Sequence, residues 1–423
     1  MTTSTEAAPR AAQHPLRGNR DFRHLWIAQA TSEFGSSVSL VAMPLLMLAA
    51  TGSAAITGLV GTAGFATMWL LQLPSGYIAD HWNRRRVMLA CEAVRAASQL
   101  ALIALILLGR VETWLVLGLF VATSAAWTVF GPAQQRTMRA LIRREQIPEA
   151  VAANQARGYA ADLAGPLLGG VLFGLARVVP FLVDTASYAV SAAAIAAVAP
   201  RADRARRPQE LEHVLRQVRG GLRYVWEHRL LRSSTLYSAG SNFTATGLLY
   251  VVIINAGQQR GGATAVGVSL SVAAGGGIIG AALAPRVQRR LSVRTILLAT
   301  GLIRVQLLMG FALTTEPVLM GALLAGYILV SPVASTALAT ARTLAVPQEI
   351  LGRAGSSGSF VATALQPLAP LTFGLLLTHL HLHTMYVIAA LTVLITLYVW
   401  RTAGFAHRAA GRLPGLADDN DRD

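Results

Sequence analysis

The 423-residue chain contains no lysine, one cysteine and few charged residues. Its 36 basic residues are all arginine, its acidic residues number 20, and charged residues make up 13% of the sequence. The single cysteine, Cys91, excludes an intramolecular disulfide and therefore a disulfide-based extracellular fold. Hydrophobic residues reach 54%, and the mean hydropathy of +0.51 is too high for a protein whose whole surface faces water. The composition predicts a membrane protein.

The net charge of +16 would indicate a nucleic-acid partner only if the arginines gathered on a soluble domain. They are scattered between apolar runs instead, so no nucleic-acid partner is expected. Residues 1–20 are polar and lack the short apolar core of a cleaved signal peptide. This segment is predicted to be a disordered cytoplasmic N-terminus.

Twelve apolar runs are long enough to cross a lipid bilayer as helices. A helix needs about 20 residues to span the ~30 Å of hydrocarbon. The runs are 22–48, 56–79, 87–108, 114–133, 159–175, 178–199, 231–254, 266–284, 295–313, 318–338, 360–377 and 385–399. They predict an all-α membrane protein with twelve transmembrane helices.

The arginines are unequally distributed between the two sides of this predicted bundle. Only Arg110, Arg177 and Arg260 fall in one set of loops. Apart from Arg95 and Arg304, which lie deep within the spans, the other 31 fall in the opposite loops, at the span ends next to those loops, and in the termini. Because arginine-rich loops stay in the cytoplasm, both termini are predicted to be cytoplasmic. The expected location is the plasma membrane.

The longest polar stretch divides the chain into two halves. Residues 201–230 have apolar side chains at helical spacing opposite Arg216, Arg219 and Arg223, which predicts an amphipathic helix on the inner leaflet. We interpret it as a linker, with a regulatory site as the alternative. The predicted parts are the N-terminus 1–20, a six-helix bundle 21–200, the linker 201–230, a second bundle 231–401 and a cytoplasmic tail 402–423.

The two halves show weak but ordered similarity to each other. The matching residues are Pro132 with Pro332, Pro166 with Pro367, and Arg95 with Arg304, the arginines being in the third and ninth spans. Such internal similarity is typical of transporters built from repeated bundles. It predicts that six helices have been used twice.

The loop after the second span carries the sequence GYIADHWNRRR, residues 76–86. Its pattern of glycine, three residues, aspartate, three residues and two arginines resembles the signature loop of the major facilitator superfamily. The matching residues are Gly76, Asp80, Arg84 and Arg85. The loop after the eighth span keeps Gly280, Arg289 and Arg290 but has Ala284 where the acid would be.

The fifth span contains AGPLLGGVL, which resembles the antiporter motif of exporters in that superfamily, at Gly165, Pro166, Gly169 and Gly170. With FGPAQQ, FLVDTASY and GLRYVWEHRLLR, the chain resembles the twelve-helix drug and siderophore exporters, the branch that includes macrolide efflux proteins. The resemblance covers roughly residues 20–400. It implies the major facilitator fold of two six-helix pseudo-repeats and a monomer that exchanges protons for a small molecule.

Asp80 ends the second span, where a carboxylate could face a helix N-terminus carrying about half a positive charge. The expected helix begins with GSSGSF at Gly355, and Arg136 or Arg139 could hold the same acid. The resemblance implies that Asp80 latches the two halves on the cytoplasmic side in the outward-facing state.

The resemblance also implies that Arg84 and Arg85 anchor this loop. The alternative is that the arginines at 84–86 only set the topology and bind lipid phosphates.

Ionisable residues within the spans cost at least ~2.5 kcal/mol each on insertion scales, so each needs a partner or a wet cavity. Glu33 lies about 15 Å into the first span, and burial favours the protonated form of a carboxyl. We predict Glu33 as the proton-coupling residue and nearby Gln29 as part of the substrate cavity. Asp162 is either a second protonation site or a cap for backbone groups freed by Pro166. Asp184 is expected to make a structural hydrogen bond.

Two arginines also lie within the predicted spans. Arg95 has Glu92 one turn earlier, so an intrahelical pair is the simple explanation. Arg304 has no acid in its span and could bind an anionic substrate group or a carbonyl at a helix end. Asn242 is a further candidate for the substrate cavity. The histidine-rich run at 379–383 has no acid beside it, and no metal site is predicted.

The predicted function is proton-coupled export of an amphipathic small molecule, without a cofactor. The alternatives are a dedicated siderophore or metabolite exporter and a transport-dead membrane receptor. An enzyme or an ATP-driven pump is not expected, because the sequence has no nucleotide-binding glycine loop, HExxH pair or GxSxG turn.

Overall fold

The computed structural model describes residues 19–198, 211–259, 262–346, 348–380 and 384–410, and the regular structure in these ranges is entirely helical. The first half contains α1 (Arg20–Thr51), α2 (Ala54–His81), α3 (Arg84–Leu107), α4 (Thr113–Leu141), α5 (Ile147–Leu175) and α6 (Val179–Ala197). The linker region contains α7 (Leu211–Glu227). The second half contains α8 (Arg229–Gln258), α9 (Gly262–Arg290), α10 (Val293–Leu313), α11 (Pro317–Ala345), α12 (Gln348–Thr363), α13 (Ala369–Leu380) and α14 (Thr384–Ala410).

Short polar residues begin several of these helices and fix where the chain turns. Asn19, Ser53, Asn83 and Ser292 each accept a hydrogen bond from a backbone N–H in the first turn of the helix that follows. Gly52 ends α1 with a φ of 65°, a left-handed conformation that glycine adopts without strain. The chain therefore reverses direction within two residues between α1 and α2.

The all-α membrane fold predicted from the sequence is confirmed. Eleven stretches of the described chain are long and apolar enough to cross a membrane, and Met385–Arg401 is a shorter apolar stretch at the place of the twelfth span. Large apolar side chains such as Leu107, Leu175 and Leu313 are more than 70% exposed, as expected of surfaces that face lipid tails.

The predicted start of the fifth span is wrong. α5 begins at Ile147, twelve residues before the predicted start at residue 159, and Pro148 occupies its first turn. Arg157, assigned from the sequence to a loop, consequently lies within α5, ten positions after its first residue. This shift matters because it adds a cation to the interior of the first half.

The eleventh span is not one continuous helix. α12 starts at Gln348, well before the predicted span, and α12 and α13 are separated by a 3₁₀ turn at Gln366–Leu368 that contains Pro367. Asn242 of α8 donates from Nδ2 to the Ala362 carbonyl at 3.0 Å. Backbone groups released by the break thus find a side-chain partner inside the protein, as the membrane interior requires.

The two halves repeat one packing pattern. In the first half α1 packs on α5 and α6, α2 packs on α4, and α3 packs on α4 and α6. In the second half α8 packs on α12, α13 and α14, α9 packs on α11, and α10 packs on α11 and α14. Each contact has its counterpart six spans later, which is the arrangement expected of two six-helix pseudo-repeats.

The bundle has two faces that differ in charge. We call the face where α2 ends at His81 and α9 ends at Arg290 the arginine-rich face, and the face where α1 ends at Thr51 and α2 begins at Ala54 the arginine-poor face. The halves are tightly packed towards the arginine-poor face. A Cβ on Gly58 would lie 2.3 Å from the Pro370 carbonyl oxygen.

The helices that make this contact between the halves are α2 with α13, α5 with α9, and α1 with α8. Leu371 donates its backbone N–H to Thr62 Oγ1 at 3.1 Å. Nearer the middle of α2, the rings of Trp69 and Phe360 stack with centroids 4.6 Å apart, and Trp69 Nε1 donates to the Phe360 carbonyl at 3.1 Å. This conformation is closed at the arginine-poor face.

α7 lies within the predicted linker and packs against α12 and α8. Its Val225 is 1% exposed and belongs to an apolar cluster with Leu231 and Val346. The linker is therefore attached to the second half. The predictions for residues 1–18, 201–210 and 411–423 concern segments outside the described residues.

Candidate functional site

A cavity of about 950 Å³ lies between the two halves, on the arginine-rich side of the contacts that close the bundle. Its walls come from α1 and α5 of the first half and from α8, α9, α10 and α11 of the second. Most lining side chains are apolar or carry hydroxyl groups. Its polar and charged lining residues include Gln155, Asp162, Asn242 and Arg304. A large apolar chamber with few polar groups suits an amphipathic small molecule.

Glu33 on α1 forms an ion pair with Arg157 on α5. Arg157 Nε lies 2.6 Å from Glu33 Oε2, and the two side chains are 8% and 26% exposed for Arg157 and Glu33. Ser37, one helical turn after Glu33, lines the cavity, as do Gln155 and Tyr159 on either side of Arg157. The pair lies at the edge of the cavity, facing the protein interior.

Gln29, expected on the cavity wall, is not among the described lining residues. It lies behind the ion pair, where its Oε1 accepts from Arg157 Nη1 at 2.5 Å. Gln29 and Gln134 of α4 also exchange hydrogen bonds through their side-chain amides. Asn154 Oδ1 accepts from Arg157 Nη1 at 3.1 Å. Arg157 is thus held by three side chains, those of Glu33, Gln29 and Asn154, and Gln29 is connected to Glu33 through it.

Asp162 lies on the cavity wall, five residues after Arg157 on α5. It is exposed, and within the described part of the chain its carboxylate makes no hydrogen bond or ion pair. The alternative in which Asp162 caps backbone groups freed by Pro166 has no contact to support it. A carboxylate in a wet cavity without a fixed partner is free to exchange a proton or bind a cation.

Arg304 lies on the opposite wall and is 2% exposed. Its Nη2 donates to Ser331 Oγ at 3.0 Å, and its guanidinium carbon lies 5.2 and 5.0 Å from the ring centroids of Tyr237 and Tyr327. No described carboxylate lies within ion-pair distance of it, and its Nε has no hydrogen-bond partner among the described residues. The predicted carbonyl contact is not observed.

The glycines of the predicted antiporter motif lie at close helix contacts. Cβ atoms on Gly165 and Gly169 would lie 2.4 Å from Ser37 Cβ and 2.5 Å from the Val38 oxygen, both on α1. A Cβ on Gly170 would lie 2.3 Å from the Ala263 carbonyl oxygen of α9. Pro166 lies within α5 and lines the cavity. Two of these glycines bring α5 onto α1, and the third brings it onto the other half.

The remaining intramembrane charges of the first half form a buried polar network away from the cavity. Arg95 Nη1 lies 3.1 Å from Glu92 Oε2, with both side chains 1% exposed or less. Asp184 Oδ2 accepts from Gln99 Nε2 at 2.6 Å and from Tyr188 Oη at 2.9 Å. Further members are Ser32 and Ser36, which accept from Arg95, and Ser191, which donates to Glu92. The network joins α1, α3 and α6.

Asp80 has one of the two arginines expected from the sequence as its partner. Arg136 Nη2 lies 2.9 Å from Asp80 Oδ2, and their side chains are 33% and 41% exposed. The expectation that a helix begins at Gly355 is wrong, because α12 begins seven residues earlier. Asp80 and Arg136 both belong to the first half, so their ion pair does not join the two halves in this conformation.

The arginines after Asp80 begin α3. Arg85 Nη2 donates to the Ala196 carbonyl near the end of α6 at 2.5 Å, which ties this loop to a neighbouring helix. Gly76 has open space around its Cβ position. The conformation described here gives no steric reason for a glycine there.

The sequence analysis did not identify Arg157, which is the ion-pair partner of Glu33. The signal was available in the helix start Gln-Ile-Pro-Glu at 146–149, since proline is favoured in a first helical turn. The described residues contain no group of three potential metal ligands, and the side chains of the histidine-rich run at 379–383 lie outside the described part.

The chain as a whole is similar to known membrane transporters. The chain is similar to the multidrug efflux pump Tap of Mycobacterium tuberculosis, with 29% identity over 389 residues that cover 86% of this chain and 88% of Tap. The Tap protein of Mycolicibacterium fortuitum is 26% identical over 393 residues, covering 87% and 92% of the two chains.

Solved structures share the fold at low sequence identity. A bacterial homologue of the iron transporter ferroportin in the inward-facing state superposes with a TM-score of 0.68 at 18% identity, covering 91% of this chain and 98% of that one. A bacterial homologue of the lysosomal transporter Spinster, inward-facing and occupied, gives a TM-score of 0.68 at 14% identity, with 95% and 96% coverage. The nucleoside transporter NupG gives 0.67 at 11% identity, with 90% and 99% coverage.

The sequence profile of one family matches residues 11–410, nearly the whole chain, and its description is transmembrane secretion effector. With two six-helix pseudo-repeats around a central cavity and efflux pumps among its relatives, this multi-pass membrane protein belongs to the transmembrane secretion effector family of the major facilitator superfamily.

Proposed function

We propose that this protein is a proton-driven exporter of amphipathic small molecules that works as a monomer in the plasma membrane. The observation that carries the proposal is the ion pair of Glu33 with Arg157 beside the central cavity. The relatives named multidrug efflux pumps support the direction and the breadth of the proposed cargo. Export of one dedicated siderophore or metabolite is the alternative.

The proposed orientation puts the arginine-rich face in the cytoplasm. Arg110 and Arg177 belong to connections at the arginine-poor face, whereas His81 and Arg290 mark the ends of helices at the other face, where most arginines gather. With this orientation the conformation is inward-facing, because the halves are closed on the outside and the cavity lies on the cytoplasmic side of the closure. Substrate would enter this cavity from the cytoplasm or the inner leaflet.

Coupling rests on competition between two cations for one carboxylate. In the inward-facing state Arg157 Nε lies 2.6 Å from Glu33 Oε2 and pairs with the carboxylate. A proton carried by Glu33 is therefore displaced by the guanidinium and released to the cytoplasm. In the outward-facing state the pair separates, and Glu33 takes up a proton from outside. A proton can drive the cycle only if its affinity differs between the two states, and Arg157 provides that difference.

Asp162 is proposed as the second protonation site because it lines the cavity without a fixed partner. Substrate binding and proton binding would both change its surroundings. Gly165, Pro166, Gly169 and Gly170 hold α5 against its neighbours, so that the movement of Arg157 and Asp162 follows the movement of α5.

The test measures export in proteoliposomes with an imposed pH gradient. Glu33→Gln keeps the side-chain size but cannot exchange a proton, and we expect gradient-driven export of a fluorescent cationic drug such as ethidium to fall to background. Binding of ethidium in detergent should remain measurable. Glu149→Gln, at an exposed site in the first turn of α5, is the matched control and should leave export unchanged. Undiminished gradient-driven export by Glu33→Gln would refute the role of Glu33.

Arg157→Gln tests the other member of the same ion pair, by removing the cation and keeping the carboxylate. Without the guanidinium, Glu33 releases its proton less readily in the inward-facing state, so export should slow at neutral internal pH. Raising the internal pH favours release and should restore part of the rate. A rate that falls equally at every internal pH would show that Arg157 has only a structural part.

A further inference from the structure

We propose that Arg304 forms a subsite for the acidic group of the transported molecule, so that the cavity accepts amphipathic acids and zwitterions. The proposal rests on the proposed function in taking the central cavity as the substrate site. It adds a chemical class of substrate and assigns the group that recognises it.

The second half holds its intramembrane arginine without an acid. Between residues 231 and 401 the sequence contains only two acidic residues, Glu316 and Glu349. Glu316 is the residue that precedes α11, and Glu349 is the second residue of α12, so both are at helix ends. Arg304, in the middle of α10, therefore carries a charge that this half of the protein does not compensate.

The matching arginine of the first half shows the contrast. Arg95 has Glu92 three residues earlier at 3.1 Å. The residue three positions before Arg304 is Gly301, where a Cβ would lie 2.2 Å from Thr396 Cγ2 of α14. An acid cannot be accommodated at that position without moving Thr396 of α14, so the packing excludes a counterpart of Glu92 beside Arg304.

Burying a guanidinium without a counter-ion costs free energy, and contact with a ligand or with water reduces this cost. Arg304 is 2% exposed, and its described partners are the Ser331 hydroxyl, the side chain of Tyr237, which contacts it through the ring and a hydrogen bond, and the ring of Tyr327; none of them is a carboxylate. Its Nε has no partner within the described structure. A carboxylate that accepts from this guanidinium would satisfy the free donor and compensate the charge.

The surroundings of Arg304 select an amphipathic acid over a simple inorganic anion. Arg304, Tyr237 and Ser241 line both the central cavity and a side cavity of about 350 Å³ between α8, α10 and α14. The side cavity is walled mainly by apolar residues such as Phe243 and Ile388. An acidic group on Arg304 would leave the apolar body of the molecule in contact with these walls.

The test compares a fluorescent acid with its own ester in detergent-solubilised protein. N-dansyl-phenylalanine carries a carboxylate, and its methyl ester has the same body without the charge. We expect wild-type protein to bind the acid about tenfold or more tightly than the ester, as for hydrogen bonds to charged groups. Arg304→Gln should remove this preference. Arg294→Gln changes an exposed arginine at the start of the same helix and should keep it.

A second variant separates loss of the subsite from loss of folding. Ser331→Asp puts a carboxylate where Arg304 already donates a hydrogen bond, so it should satisfy Arg304 from within and also abolish the preference for the acid. Its thermal stability should equal or exceed that of the wild type. Equal wild-type affinity for acid and ester, or an acid preference that survives either Arg304→Gln or Ser331→Asp, would overturn the proposal. Because binding is measured without a proton gradient, a failure of proton coupling would leave this result unaffected.

Discussion

Gly170 of α5 lies so close to Gly267 of α9 that a Cβ on Gly170 would be 2.7 Å from the Gly267 Cα. This contact joins the two halves on the side where the bundle is closed. Backbone atoms form the opposing surface, with the Ala263 carbonyl oxygen 2.3 Å from the same Cβ position. The closure between α5 and α9 therefore depends on the absence of a side chain.

Enlarging Gly170 should shift the protein away from this conformation. Gly170→Leu introduces an overpacking cost of about 1–3 kcal/mol in the closed state only, which changes the ratio of the two states by about 5- to 150-fold. We expect a cysteine placed at Leu45, 3% exposed here, to react faster with a membrane-impermeant maleimide in this variant. The background is Cys91→Ser, which removes the natural thiol.

The matched control is Gly131→Ala on α4, where a Cβ has open space. It should leave the labelling rate at Leu45→Cys unchanged. If Gly170→Leu labels no faster than Gly131→Ala, the closure does not depend on this glycine.

The ion pair of Asp80 with Arg136 is expected to matter for transport more than for stability. Both side chains are more than 30% exposed, and exposed ion pairs contribute only about 0.2–1 kcal/mol. Asp80→Asn should therefore leave the thermal unfolding temperature nearly unchanged while lowering the export rate, as proposed for a latch that forms in the outward-facing state. A normal export rate in Asp80→Asn would rule out the latch, and a large fall in the unfolding temperature would indicate a structural role instead.

The buried pair of Glu92 and Arg95, in contrast, is expected to contribute mainly to the stability of the fold. Arg95→Gln leaves Glu92 buried without its cation, and breaking such a pair costs about 3–5 kcal/mol. We expect a clear fall in the unfolding temperature, whereas the double variant Glu92→Gln with Arg95→Gln should recover much of it. The control is Arg294→Gln, which replaces an exposed arginine. An unfolding temperature for Arg95→Gln equal to that of the control would show that the network does not stabilise the first half.

The fold was predictable from the sequence because hydrophobic runs and arginine-rich loops are local signals. The helix near residues 114–133 and the exclusion of charge from most spans follow directly from the cost of burying polar groups in lipid. The broken eleventh span was harder. Gln366 and Pro367 mark the 3₁₀ turn, but Asn242, whose side-chain amide donates to the Ala362 carbonyl beside the break, lies 120 residues away from Ala362 in sequence.

The candidate site was predictable only in part, for a similar reason. Glu33, Asp162 and Arg304 stand out because each is an ionisable residue in an apolar run. The partner of Glu33 could not be derived, since Arg157 lies 124 residues later, on a helix whose start was assigned too late. Pairings between distant helices depend on packing, which no short stretch of sequence encodes.

The stacking of Trp69 on Phe360 gives the protein a natural optical reporter. The indole of one half lies on a ring of the other half, so its emission should change whenever the halves separate at that level. The chain has seven tryptophans, and a variant that keeps only Trp69 would allow the transport cycle to be followed by fluorescence without an attached dye.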